Sequence, residues 1–205
     1  GKASSFAPGN RNEGFKTASQ VNYVARCGNF REKGLSYTGA LRILKVILSY
    51  DYLWLNLRVK GGAYGCMSGF GRSGEGYLVS YRDPNLQETN RVYEGIVKYL
   101  EEFDPDERDM TKFVIGTISN LDTPLTPSVK GSRALSAYLS GVTEEMLQEE
   151  RDQVLRATKE DIRALTKWVR ALLDTGSFCV VGNEDKIEAN REAFKEVRNL
   201  SGNAG

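Results

Sequence analysis

Histidine is absent from all 205 residues. It is the commonest metal ligand and the usual proton carrier near neutral pH. Its absence excludes a Ser-His-Asp triad, a Cys-His dyad and any His-x-x-Glu-His zinc motif within this chain. Cysteine is scarce. Cys27, Cys66 and Cys179 are odd in number and widely spaced, and no Cys-x-x-Cys pair exists. Buried reduced thiols are expected from their apolar and aromatic neighbours, with no metal site. Neither sign of charge is in excess: 28 Lys and Arg face 27 Asp and Glu, a formal net charge of +1. No general electrostatic drive toward nucleic acid or anionic membrane follows from that balance. Apolar runs are short against the roughly 20 residues of a membrane-spanning helix. The first ten residues lack the apolar stretch of a secretory signal. The expectation is a chain without nucleic-acid or membrane partners, intracellular or separated from its address.

What is present reads as a globular unit. Hydrophobic residues make up 40% and charged residues 27%, enough for a real core. Residues 1–18 are rich in Gly, Ser, Asn and Lys and read as a linker or ragged edge; residues 19–205 read as one domain. Val21, Tyr23, Ala25 and Cys27 alternate with Asn22, Val24 and Arg26, the pattern of a half-buried strand. Ser36 is placed to cap a helix that is apolar nearly all round, from Leu41 through Leu48 and on to Leu57, hence central and buried. Gly61 to Phe70 and Tyr77 to Tyr81 form a hairpin about a glycine-rich turn from Gly71 to Gly76. Helices dominate thereafter. Asn85 with Glu88 suggests a capping box, Asp104-Pro105 a helix start, and Thr143 and Thr158 two further caps. Val129, Leu135, Tyr138 and Leu139 mark another helix. Phe178 to Val181 is a short strand, and an amphipathic helix is expected from Glu184 to Leu200. The fold class implied is α+β, with helices packed on one face of a small antiparallel sheet.

Few motifs carry chemistry. Gly69-x-Gly71-x-x-Gly74 has the glycine spacing of a dinucleotide loop, but a strand follows it where a helix should open. A hairpin turn explains it better. Acidic pairs such as Glu101-Glu102 and Glu144-Glu145 sit at helix ends, where the macrodipole or solvent accounts for them. Arg58-Val-Lys-Gly61-Gly62-Ala-Tyr64-Gly65 is different. A guanidinium and a phenol flank a double-glycine bend between a buried helix and a strand. Glycines Gly61, Gly62 and Gly65 would let a second backbone approach. Arg58 and Tyr64 offer donors suited to a peptide carbonyl gaining negative charge. A helix-terminal arginine and a core tyrosine would satisfy the same pattern, and the residues alone leave both readings open.

Three blocks carry a resemblance: Leu57 to Gly65; Ser80-Tyr-Arg-Asp-Pro-Asn85; and Gly116-Thr-Ile-Ser119 followed by Asp122-Thr-Pro-Leu-Thr-Pro127 and Lys130-Gly-Ser-Arg133. In this order they resemble the presequence-protease subfamily of pitrilysin/insulinase-type peptidases, from about Val21 to Leu200. The resemblance implies the C-terminal domain of a peptidase whose two halves close like a clamshell. An inverted zinc motif would lie in the N-terminal half, the partner expected for this chain. Arg58 and Tyr64 would be catalytic, holding the peptide near the bond cut, with Gly61, Gly62 and Gly65 binding substrate. The resemblance further implies no cofactor in this chain and zinc in the complete enzyme. The substrate would be an unfolded peptide, and the chain alone would be inactive. The preferred location is a bacterial cytoplasm, with an organelle matrix as the alternative. A non-catalytic scaffold and a free peptide-binding module are the rival functions. An exposed apolar face, through which two copies could form a homodimer, is also expected.

Overall fold

The computed structural model describes residues 11–200. Its strands are Glu13–Thr17 (β1), Asn22–Asn29 (β2), Gly65–Phe70 (β3), Glu75–Asp83 (β4), Ser177–Asn183 (β5) and Glu196–Asn199 (β6). They form one six-stranded sheet in the order β3-β4-β2-β5-β1-β6. The first four strands in that order are antiparallel, whereas β1 runs parallel to both β5 and β6. The sheet is therefore mixed and larger than the sequence suggests, within the expected α+β class. Part of the supposed linker is in fact β1, held between β5 and β6. Its five residues carry one aromatic, too few to show a period. Residues 1–10 of that segment lie outside the described residues.

Helices Ala40–Ile47 (α1), Gln87–Glu101 (α2), Glu107–Leu121 (α3), Pro127–Ser140 (α4), Glu144–Arg156 (α5), Lys159–Ala164 (α6), Thr166–Asp174 (α7) and Glu184–Ala189 (α8) complete the chain. α1 is buried on nearly every side through Leu41, Ile43, Leu44 and Ile47, as its all-round apolar sequence requires. It continues through Val59 with wider π-helical turns, seen in the bond from Lys60 N–H to the Leu55 carbonyl, five residues back. Inward-facing Val24, Leu78, Phe178 and Val180 share one buried core with residues of α1, α2 and α7. The opposite sheet face is open, with Tyr23, Met67 and Tyr77 exposed.

Several local readings change. β2 has the reverse phase: Asn22 and Val24 are buried while Tyr23 and Cys27 face out. The core takes the branched Val24 with Asn22, whose side chain finds backbone partners at Asp83 and Asn183. Cys27 is thus exposed, and Cys66 and Cys179 are half-buried. α1 opens at Gly39 without a side-chain cap, so Ser36 does not serve. The expected last helix stops at Ala189, and β6 follows. α3 opens two residues late, capped by Asp106. Thr143 and Thr158 cap their helices as expected, Thr158 in a reciprocal capping box with Asp161.

Candidate functional site

At the β3 edge of the sheet, the long helix turns back into a strand through Gly61-Gly62. Gly62 is left-handed, at φ 79°. Its N–H bonds the Arg58 carbonyl at 3.0 Å, and the Ala63 N–H bonds the Leu57 carbonyl at 2.9 Å, closing the helix end. A Cβ at Gly61 would stand 2.6 Å from the Leu57 carbonyl oxygen, so this position excludes any side chain. Both glycines are therefore required by the bend itself. Gly65 is overlain by the Tyr81 ring, where a Cβ would meet the phenol oxygen at 2.2 Å.

The bend is held from below by the segment after β4. Asn85 donates its side-chain amide to the Gly61 carbonyl at 2.6 Å, and so is not the helix cap its sequence suggests. Asp83 anchors that segment. Fully buried, it accepts from the Ser80 hydroxyl at 2.7 Å, the Thr89 hydroxyl at 2.5 Å and the Asn85 N–H at 2.9 Å. No cation pairs with Asp83 among the described residues; three donors satisfy the carboxylate instead. Asn22 ties the Asp83 carbonyl to β2 at 3.0 Å.

Arg58 and Tyr64 stand on either side of this braced bend, and both are exposed, Tyr64 at 59%. The fold joins them through the Gly61-Gly62 backbone and gives each its own side-chain support. The Arg58 guanidinium lies over the Trp54 ring, 4.3 Å from its centre. The Tyr64 ring packs on Tyr81 at 5.9 Å, and the Arg82 guanidinium lies 5.1 Å from its centre. Burial pushes the neighbouring Cys66 thiol up, an effect the Arg58 charge partly opposes. The sequence alone does not mark Arg82, Asp83 and Asn85 as site-building residues; the only local signal is Asp-Pro after a strand, which marks a turn.

The described residues hold no group of three or more His, Cys, Asp or Glu able to bind a metal. Nothing in this arrangement fits a zinc ion. The donors at the bend suit a peptide backbone or a carboxylate.

The fold is that of pitrilysin-type peptidase domains. A structure described as the peptidase M16 inactive domain from Pseudomonas fluorescens superposes with a TM-score of 0.63 at 16% identity, over 86% of this chain and 44% of that one. Pitrilysin itself superposes with a TM-score of 0.55 at 18% identity, over 85% of this chain and 20% of that one. The PreP C-terminal domain profile matches residues 12–182, and the chain belongs to that family. Among similar proteins, HypA of Clostridium perfringens is 46% identical over 195 residues, 95% of this chain and 20% of that protein. Presequence protease 1 of Arabidopsis thaliana, described as chloroplastic/mitochondrial, is 35% identical over 192 residues, 92% of this chain and 18% of that protein. The chain thus spans about a fifth of these relatives.

Proposed function

We propose that this domain is the substrate-gripping wall of a zinc-dependent peptidase that degrades unfolded peptides. Arg58 and Tyr64 reach into an active site whose metal lies in the N-terminal half of the same polypeptide. The observation that carries this reading is the pair of exposed donors set on either side of a bend that the molecule braces from beneath. A fixed fork and a fixed hydroxyl stabilise charge developing on a peptide carbonyl without rearranging, which is where such donors are most effective. Water activation belongs to the metal half; this chain supplies only hydrogen bonds. Gly61, Gly62 and Gly65 serve by shaping the bend and seating Tyr81, and Gly62, which is exposed, leaves room for a peptide backbone. The family relationship and the likeness to presequence proteases support the reading, as does the placement of the pair beside an edge strand.

Replacing Arg58 by Ala in the complete polypeptide tests it. Turnover of an unfolded peptide is expected to fall at least about tenfold, the loss of one donor to a developing oxyanion, while zinc content stays normal. Unchanged turnover removes Arg58 from the site. The isolated domain is expected to cleave nothing.

A further inference from the structure

Arg82 sits at a bulge. Between the β2 partners Asn22 and Val24 the register with β4 shifts, so that Tyr81 and Arg82 together oppose Tyr23. Bulges of this kind re-aim a side chain. Arg82 has φ 46°, and among the described residues no other non-glycine residue is left-handed. That conformation is strained for an arginine, and glycine would avoid the strain. The Arg82 carbonyl accepts the Tyr64 N–H at 3.3 Å, and its guanidinium is held over the Tyr64 ring.

The same construction occurs at Arg58, held over Trp54. In both cases the aromatic ring fixes the guanidinium without consuming any of its N–H donors. Several arginines of the protein are instead paired: Arg42 and Arg72 with Glu150, Arg151 with Asp122, Arg170 with Glu101. Among the described residues, the side chains of Arg58 and Arg82 have their ring contacts but no carboxylate or other hydrogen-bond acceptor. Two exposed, positioned and unsatisfied forks at one corner ask for an anionic acceptor.

Resting on the function proposed above, we infer that Arg82 is a specificity-determining residue that binds a carboxylate of the peptide, whether an acidic side chain or the chain terminus, next to the carbonyl held by Arg58 and Tyr64. The strained bulge delivers this fork, and Tyr64 is the platform on which it rests.

The test uses the complete polypeptide and a neutral peptide carrying a single Glu, or Gln in its place, at each successive position, with a free or an amidated C-terminus. One Glu peptide, or the free-acid form, is expected to be cleaved with kcat/KM about tenfold above its neutral counterpart, as for one charge-assisted hydrogen bond. Which pair differs identifies the source of the carboxylate. Arg82→Gly should bring that pair to within about twofold, with a melting temperature no lower than wild type, because glycine relieves the left-handed backbone. A purely structural arginine would not produce that combination. Arg82→Lys, which keeps the charge but not the fork, should retain part of the preference. No difference between any pair, or a preference that survives in Arg82→Gly, overturns the inference. Arg58→Ala run alongside separates the two claims. If it slows every peptide alike, the proposed function stands whichever way the Arg82 comparison falls. If it cleaves at the wild-type rate, both fall together.

Discussion

The corner around Gly61-Gly62 and the helix α4 present similar numbers of large side chains to solvent, yet they are held by different means. At the corner, buried Leu57, Ala63, Asp83 and Leu86 surround the bend, and each backbone turn has a named partner. The exposed Arg58, Tyr64 and Arg82 are outgrowths of a fixed base. α4 buries none of its residues, and Tyr138 is 83% exposed. Its ends are closed locally, by the Thr126 cap and the left-handed Gly141. An exposed side chain on a braced backbone can be specified for recognition, whereas an exposed stripe on an unburied helix says only that a face is uncovered.

The sharpest way to break this contrast is Asp83→Ala. It leaves two hydroxyls and the Asn85 N–H without their acceptor in the interior, and should lower unfolding free energy by about 3 kcal/mol in urea titration. A loss below about 1 kcal/mol would show that the corner is not anchored there. Gly62→Ala comes next. Its left-handed φ makes a Cβ unfavourable by about 1 kcal/mol, read as a lowered denaturation midpoint at constant slope.

Alkaline pH probes the helix that leads into the bend. Burial raises the Tyr52 pKa to about 12, and its hydroxyl donates to the Val92 carbonyl at 2.6 Å. In the unfolded chain the phenol ionises near pH 10. Stability is therefore complete below about pH 10 and falls as pH rises toward about 12, where the folded phenol also ionises. In Tyr52→Phe that decline should be shallower by comparison with wild type. The smallest effect belongs to α4: Tyr138→Ser and Leu139→Ser should each change stability by less than about 0.5 kcal/mol. A larger loss would mean that α4 is packed rather than open.

Where burial and period coincide, the sequence was legible. The helix from Leu41 to Leu57 and the strand β4 fall where their apolar spacing puts them, β3 begins at Gly65 because Gly61-Gly62 close the helix instead, and Thr158 with Asp161 forms a capping box. α4 shows the limit of that signal. Its stripe of Val129, Leu135, Tyr138 and Leu139 correctly marks a helix, but periodicity does not say what covers it. β1 and β6 were hidden because five and four residues, pairing with strands far along the chain, leave no local pattern. The phase of β2 is disguised because its buried Asn22 is polar and its outward Tyr23 aromatic. At the site, Arg58 and Tyr64 were visible as residue types beside Gly-Gly. The support from Asp83, Asn85 and Arg82 was not, since a carboxylate satisfied by two hydroxyls and an amide more than twenty positions from the bend has no spacing rule.

The most direct test of the account is Tyr64→Phe in the complete polypeptide. The phenol oxygen is the only atom lost, and the ring keeps its contacts with Tyr81 and Arg82. The account predicts peptide turnover lowered at least about tenfold with an unaltered melting temperature. Wild-type turnover at an unaltered melting temperature would contradict it.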